Sequence, residues 1–124
     1  MTMRTPLSRV RGLGSAKDGT HHWWMQRLTA VALLPLSIWF VVSAIMLAGA
    51  DHAAVSAWLG SPLPAVLMLL LVVALFHHLQ LGLQVVIEDY IHGEVAKLVC
   101  LIGLKLGSVA LAVAAIFAIL KVAF

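Results

Sequence analysis

Apolar residues run almost unbroken through three stretches, at about 28–47, 64–87 and 95–122, and most polar residues gather before and between them. A helix needs about 20 residues to cross the hydrocarbon core of a bilayer, and each stretch is long enough to do so. The pattern therefore predicts an all-α integral membrane protein with three transmembrane helices. A basic arm over 1–26 precedes a membrane domain over 27–124. Between the first two spans, Asp51 is placed to cap a short interfacial helix over 52–59, Gly60 to end it, and Trp58 to face lipid. Pro35 removes a backbone donor within the first span, so a bend is expected there.

Composition agrees with the pattern. Of the 124 residues, 63% are hydrophobic and only 10% charged, with a mean hydropathy of +1.08. A soluble domain needs a polar surface that this chain lacks. Cys100 is alone inside the third run, where it has no disulfide partner and behaves as a small packing residue.

Charge sets the orientation. Arg4, Arg9, Arg11 and Lys17 precede the first span, while the segment 51–62 contains neither Lys nor Arg. By the positive-inside rule the N-terminus is cytoplasmic and the C-terminus lies on the opposite side, with Lys121 a mild exception. The net charge of +3 comes largely from the arm and reports topology and contact with the lipid bilayer, not nucleic acid binding. The basic, acid-poor first 20 residues also suit a mitochondrial transit peptide, so the bacterial inner membrane is the expected location and the mitochondrial inner membrane the alternative. The apolar run starts too late for a cleaved secretory signal. Gly12, Gly14 and Gly19 make the arm a poor helix, and an extended or disordered arm is expected.

Candidate chemistry lies in the second span. His77 and His78 fall near the bilayer centre, where ionisable groups are costly and point to function. Steps of four, seven and eleven residues place His78, Gly82, Val85 and Asp89 on one helix face. His77, Gln84 and Glu88 form a second stripe. A neutral imidazole is an axial donor to haem iron, and Gly82 would leave room for a porphyrin. The competing reading is that both histidines hydrogen-bond across helices with Gln80 and Gln84. The residues alone do not choose between His77 and His78. At the end of the span, Tyr90 can donate a hydrogen bond to a quinone carbonyl and Asp89 can orient it or relay protons; an ordinary interfacial pair is the alternative. Arg27 can pair with Asp89 or with a cofactor carboxylate, or act as a snorkelling anchor. Trp23 and Trp24 suit the membrane interface. In the third span Gly103, Gly107, Ala110, Ala114 and Ala118 share one stripe along which another helix can approach, and Lys105 reads as a snorkelling side chain.

The run over 14–29, GSAKDGTHHWWMQRLT, together with HLQLGLQVVIEDY over 78–90, resembles the smaller hydrophobic membrane anchor of succinate dehydrogenase (respiratory complex II) in its alphaproteobacterial form. The most specific element is a membrane histidine followed eleven residues later by Asp-Tyr. The resemblance implies a non-catalytic subunit of a quinone-reducing oxidoreductase. Its partners would be a second hydrophobic anchor (the cytochrome b subunit), an iron–sulfur subunit and a flavoprotein. A haem b would be shared with the second anchor and ubiquinone would be the substrate, with FAD and the iron–sulfur clusters on partner subunits only. By the same resemblance His78 is the axial ligand, Gly82 lies beside the porphyrin, Tyr90 and Asp89 serve the quinone, and Arg27 and His21 lie near the haem propionates. His77 precedes the family's ligand position and reads as structural, and His22, Trp23 and Trp24 have weaker backing as site residues. Two other classes fit the residues less well: a haem-free anchor or assembly subunit, whose histidines only pack, and a small oligomeric transporter, whose polar residues line a path.

Overall fold

The computed structural model describes residues 5–11 and 18–124. Arg4, Gly12, Gly14 and Lys17 of the basic arm lie outside the described residues. The elements are α1 (Pro6–Val10), α2 (Asp18–Met46), α3 (His52–Leu59), α4 (Pro62–Tyr90) and α5 (Glu94–Ala123). No strand occurs among the described residues. The three long helices, of 29, 29 and 30 residues, are each long and apolar enough to span a membrane.

Every long helix outruns the apolar stretch that predicts it. At 1.5 Å per residue, α4 is about 43 Å long against a hydrocarbon core of about 30 Å, so its ends reach the head-group zone. Hydropathy registers only the part in hydrocarbon, whereas the backbone ladder continues where water and head groups are available. Two expectations change as a result. Gly19 and the residues up to Gln26 belong to α2, not to an extended arm. Glu88, Asp89 and Tyr90 form the last turn of α4, leaving only 91–93 as the connection to α5.

The ends of the short helix follow their sequence signals. Asp51 caps α3 by accepting a hydrogen bond from the Ala54 N–H at 2.8 Å, and Gly60 follows its last residue. Trp58 departs from expectation: it is half-buried and stacks on Trp39 of α2, with centroids 5.7 Å apart and an interplanar angle of 19°. Gly49, in the turn after α2, has φ +83°, a conformation that a Cβ disfavours. Pro35 lies inside α2, which continues through it.

The helices form a layer. α4 packs on α2 along one side and on α5 along the other, while α2 and α5 do not pack on each other. α3 closes the end beside the C-terminus of α5, so a Cβ on Gly60 would lie 3.1 Å from the Ala123 carbonyl oxygen. The start of α2 and the connection 91–93 occupy the other end.

Little is buried. Among the described residues Leu59, Ala65, Leu71 and Leu81 form the small apolar core, and the buried polar residues are Thr29 and Ser108. Each returns its hydroxyl proton to its own helix, Thr29 to the Met25 carbonyl at 2.7 Å and Ser108 to the Leu104 carbonyl at 2.6 Å. Back-bonded hydroxyls and small residues let membrane helices approach where burial of apolar area gives no drive. The small-residue stripe of α5 is not consumed by this packing. Gly103, Ala110 and Ala114 are exposed, and Cβ atoms at Gly103 and Gly107 would meet nothing within 4 Å.

Candidate functional site

α4 has its midpoint near Phe76, which places His77 and His78 within one turn of the bilayer centre. Adjacent residues on a helix differ by about 100° in direction, so the two histidines meet different surroundings. His78 faces α2, where its Nδ1 lies 3.0 Å from Thr29 Oγ1. One turn further along α4, Gly82 faces Gln26, and a Cβ there would sit 3.7 Å from Gln26 Nε2, an ordinary contact distance. Within this chain alone, Gly82 is therefore not required by sterics.

The Thr29 hydroxyl lies within hydrogen-bond distance of His78 and of two carbonyls of its own helix. It has one hydrogen, and its oxygen lies 2.7 Å from the Met25 carbonyl and 3.1 Å from the Gln26 carbonyl, which can only accept. With that hydrogen directed to the carbonyls, the oxygen is left as an acceptor toward His78. In that arrangement Nδ1 carries the imidazole proton and donates it to Thr29, and in the other tautomer the hydroxyl donates to Nδ1. The remaining nitrogen, Nε2, has no hydrogen-bond partner among the described residues.

His77 points elsewhere. It borders the cleft between α2 and α4 and also the one between α4 and α5, the latter with Gln80 and Ser108. Its Nε2 is buried without a partner, as are His22 Nε2 and Gln26 Oε1. His22, Gln26 and Thr29 are spaced four and three residues apart, so they form one polar stripe on α2. None of the three stood out as a leading site residue in the sequence. The i, i+4, i+7 spacing of polar residues just ahead of an apolar run was the available signal.

The remaining candidates lie toward the ends of α2 and α4. Tyr90 is 76% exposed and Asp89 is exposed beside it. Gln84 Nε2 donates to Glu88 Oε1 at 3.1 Å along the second stripe of α4. Arg27 does not pair with Asp89; its guanidinium sits over the Trp23 ring, 5.4 Å from the centroid, and Trp23 meets Trp24 edge-to-face at 4.9 Å. Arg27 and Thr29 are two positions apart and so about 200° apart around α2, which turns Arg27 away from the His78 side. His21 is exposed on the same end of α2. The structure thus joins His78 to Thr29 and Gly82 to Gln26, and leaves Tyr90, Asp89, Arg27 and His21 as exposed groups around that end.

Comparison with known proteins adds independent findings. Residues 1–121 match the family described as succinate dehydrogenase/fumarate reductase transmembrane subunit. The chain is 34% identical over 116 residues to a succinate dehydrogenase hydrophobic membrane anchor subunit of Rickettsia bellii, covering 94% of this chain and 93% of the relative. It is 32% identical over 117 residues to the protein of that description in Paracoccus denitrificans, covering 94% and 90%. It is 31% identical to a succinate dehydrogenase membrane anchor subunit of Reclinomonas americana over 86 residues, covering 67% and 72%. No solved structure matches the chain.

Proposed function

The chain belongs to the succinate dehydrogenase/fumarate reductase transmembrane-subunit family, as a hydrophobic membrane anchor of succinate dehydrogenase, and from that premise we propose that His78 is an axial ligand of a b-type haem and that Tyr90 and Asp89 form part of the ubiquinone-reduction site. The second axial ligand comes from a second anchor, and the flavoprotein and iron–sulfur partners oxidise succinate and deliver its electrons. The N-terminal side of α2, the connection 91–93 and the quinone site all face the cytoplasm of a bacterial inner membrane.

The observation that carries the haem assignment is the hydrogen bond between His78 Nδ1 and Thr29 Oγ1. A haem-ligating histidine must be neutral at its donor nitrogen and is ordinarily fixed through its other nitrogen. With its proton on Nδ1 and donated to Thr29, His78 would meet both conditions. His77 is the poorer donor, because its Nε2 is enclosed by the packing of the chain. An iron that takes a second ligand from another subunit must lie outside that packing. Gly82 keeps the adjacent surface of α4 low, and His21 supplies a hydrogen-bonding group suited to a propionate, whereas Arg27, over Trp23 and turned from the His78 side, is not assigned to it. When bound, the haem supplies one-electron storage within the membrane domain.

At the quinone, this chain contributes hydrogen bonding at the membrane surface. The Tyr90 hydroxyl donates to a quinone carbonyl, an interaction that strengthens as negative charge develops on that oxygen during reduction. Asp89, exposed to the aqueous side, orients the tyrosine and passes protons from water to the reduced oxygen. Two electrons and two protons convert the quinone to the quinol.

A reduced-minus-oxidised absorbance spectrum of the complex, purified through a tag on this chain, tests the haem assignment. The wild-type complex should show a low-spin b-type signal, His78→Ala should lose it, and His77→Ala should keep it. Full haem occupancy in His78→Ala would remove His78 as the ligand.

A further inference from the structure

We propose that Thr29 is the positioning residue for His78: its hydroxyl accepts the Nδ1 proton and so selects both the imidazole tautomer and the direction in which Nε2 is presented. This inference rests on the haem reading given above. Its own support is geometric. Thr29 is only 6% exposed, lies across the α2–α4 interface from His78, and has its oxygen within hydrogen-bond distance of the Met25 carbonyl, the Gln26 carbonyl and His78 Nδ1. Two of the three neighbours can only accept, and a hydroxyl hydrogen directed to them leaves the oxygen lone pair for the histidine. In hydrocarbon no water competes for either bond. The hydroxyl thereby fixes the ring with no added charge, where a carboxylate orienter would bring an ionised group to the bilayer centre at high cost.

The consequence for bound iron has a definite sign. An acceptor on Nδ1–H raises the basicity of Nε2, which favours the ferric over the ferrous state and lowers the midpoint potential. Removing the acceptor should raise the potential and weaken retention of the group. Loss of such an orienting partner typically weakens metal binding by roughly 10- to 100-fold.

The test uses the whole complex with Thr29→Val, Thr29→Cys and Thr29→Ser, beside His78→Ala. Valine preserves the branched shape without a hydroxyl, serine restores the hydroxyl without the methyl, and a thiol is a weak acceptor of intermediate strength. Haem retention under dilution in detergent and the haem midpoint potential from redox titration should both rank serine with wild type, cysteine between, and valine last, with the potential highest in valine. If valine matches wild type while serine loses haem, Thr29 acts by packing and the proposal fails. If Thr29→Val fails to assemble, the order of serine and cysteine decides: a cysteine variant equal to or better than serine overturns it. His78→Ala separates the two claims, since haem retained there overturns the ligand assignment itself, whereas haem lost there with an unchanged Thr29 series overturns only the role of the hydroxyl.

Discussion

One hydroxyl between two carbonyls and an imidazole decides how the two neighbouring histidines differ. His77 and His78 are identical in residue type and nearly identical in depth, yet of the two only His78 has a hydrogen-bond partner among the described residues. Residue-scale reasoning of the same kind applies to Tyr90, whose single hydroxyl is exposed at the end of α4. Tyr90→Phe should leave the haem spectrum intact and lower quinone-reductase efficiency by about 10- to 100-fold, in line with one lost donor at a developing negative charge. Steady-state kinetics with a water-soluble quinone analogue and a haem spectrum of the same sample check both halves. Unchanged kinetics would remove Tyr90 from the quinone site. The histidines and Asp-Tyr were legible in the sequence because ionisable groups are conspicuous among apolar ones. Thr29 was not, since a lone hydroxyl in a membrane helix ordinarily bonds its own backbone, and here it does that as well.

At the scale of the element, helix ends and close approaches distinguish the glycines. Gly60 lies where α3 meets the end of α5, and an added Cβ would come within 3.1 Å of the Ala123 carbonyl and 3.2 Å of the Ser56 carbonyl. Gly60→Ala should therefore displace the end of α5 and cost about 1–3 kcal/mol, the usual range for overpacking. Gly103→Ala meets open space within the chain and should leave the three-helix packing unchanged. Thermal denaturation of the purified complex, with hydrogen exchange over α3 and the end of α5, separates the two. Equal behaviour of the variants would show that the α3–α5 contact contributes nothing. Hydropathy found all three long helices, and Asp51 and Gly60 marked the ends of α3, but hydropathy placed the start of α2 and both ends of α4 and α5 too far inward. It reports where lipid is, whereas helices end where the backbone loses its hydrogen-bonded continuation.

For the whole molecule, the layered arrangement matters more than any one contact. With α4 between α2 and α5, both broad faces stay open, and large apolar side chains on all three spans are exposed. Such a surface suits lipid and partner helices, as expected of an anchor that works within a complex. The layer also fixes which ends share a side: the start of α2 with the connection 91–93, and α3 with the end of α5. The proposed orientation, from the positive-inside rule, puts the first pair at the cytoplasm. Alkaline phosphatase fused after Ala50 or at the C-terminus should be active, and the same reporter fused after His92 inactive. The reverse pattern would invert the topology and move the proposed quinone site to the other side of the membrane.

By itself the sequence determined the number of spans, the helical class, the capping of α3 and the residue types available for chemistry, because these follow from hydrophobic run length, local backbone preferences and the cost of charge in lipid. It also carried the family resemblance, through the spacing of His78 to Asp89 and Tyr90. Only the tertiary structure decided that α4 is the central helix, that Trp58 stacks on Trp39, that Arg27 rests on Trp23 and not on Asp89, and that His78 meets Thr29. The reason is periodicity. A helical wheel says which residues share a face, but not which neighbour that face meets, and contacts across 49 positions of sequence are set by how helices pack.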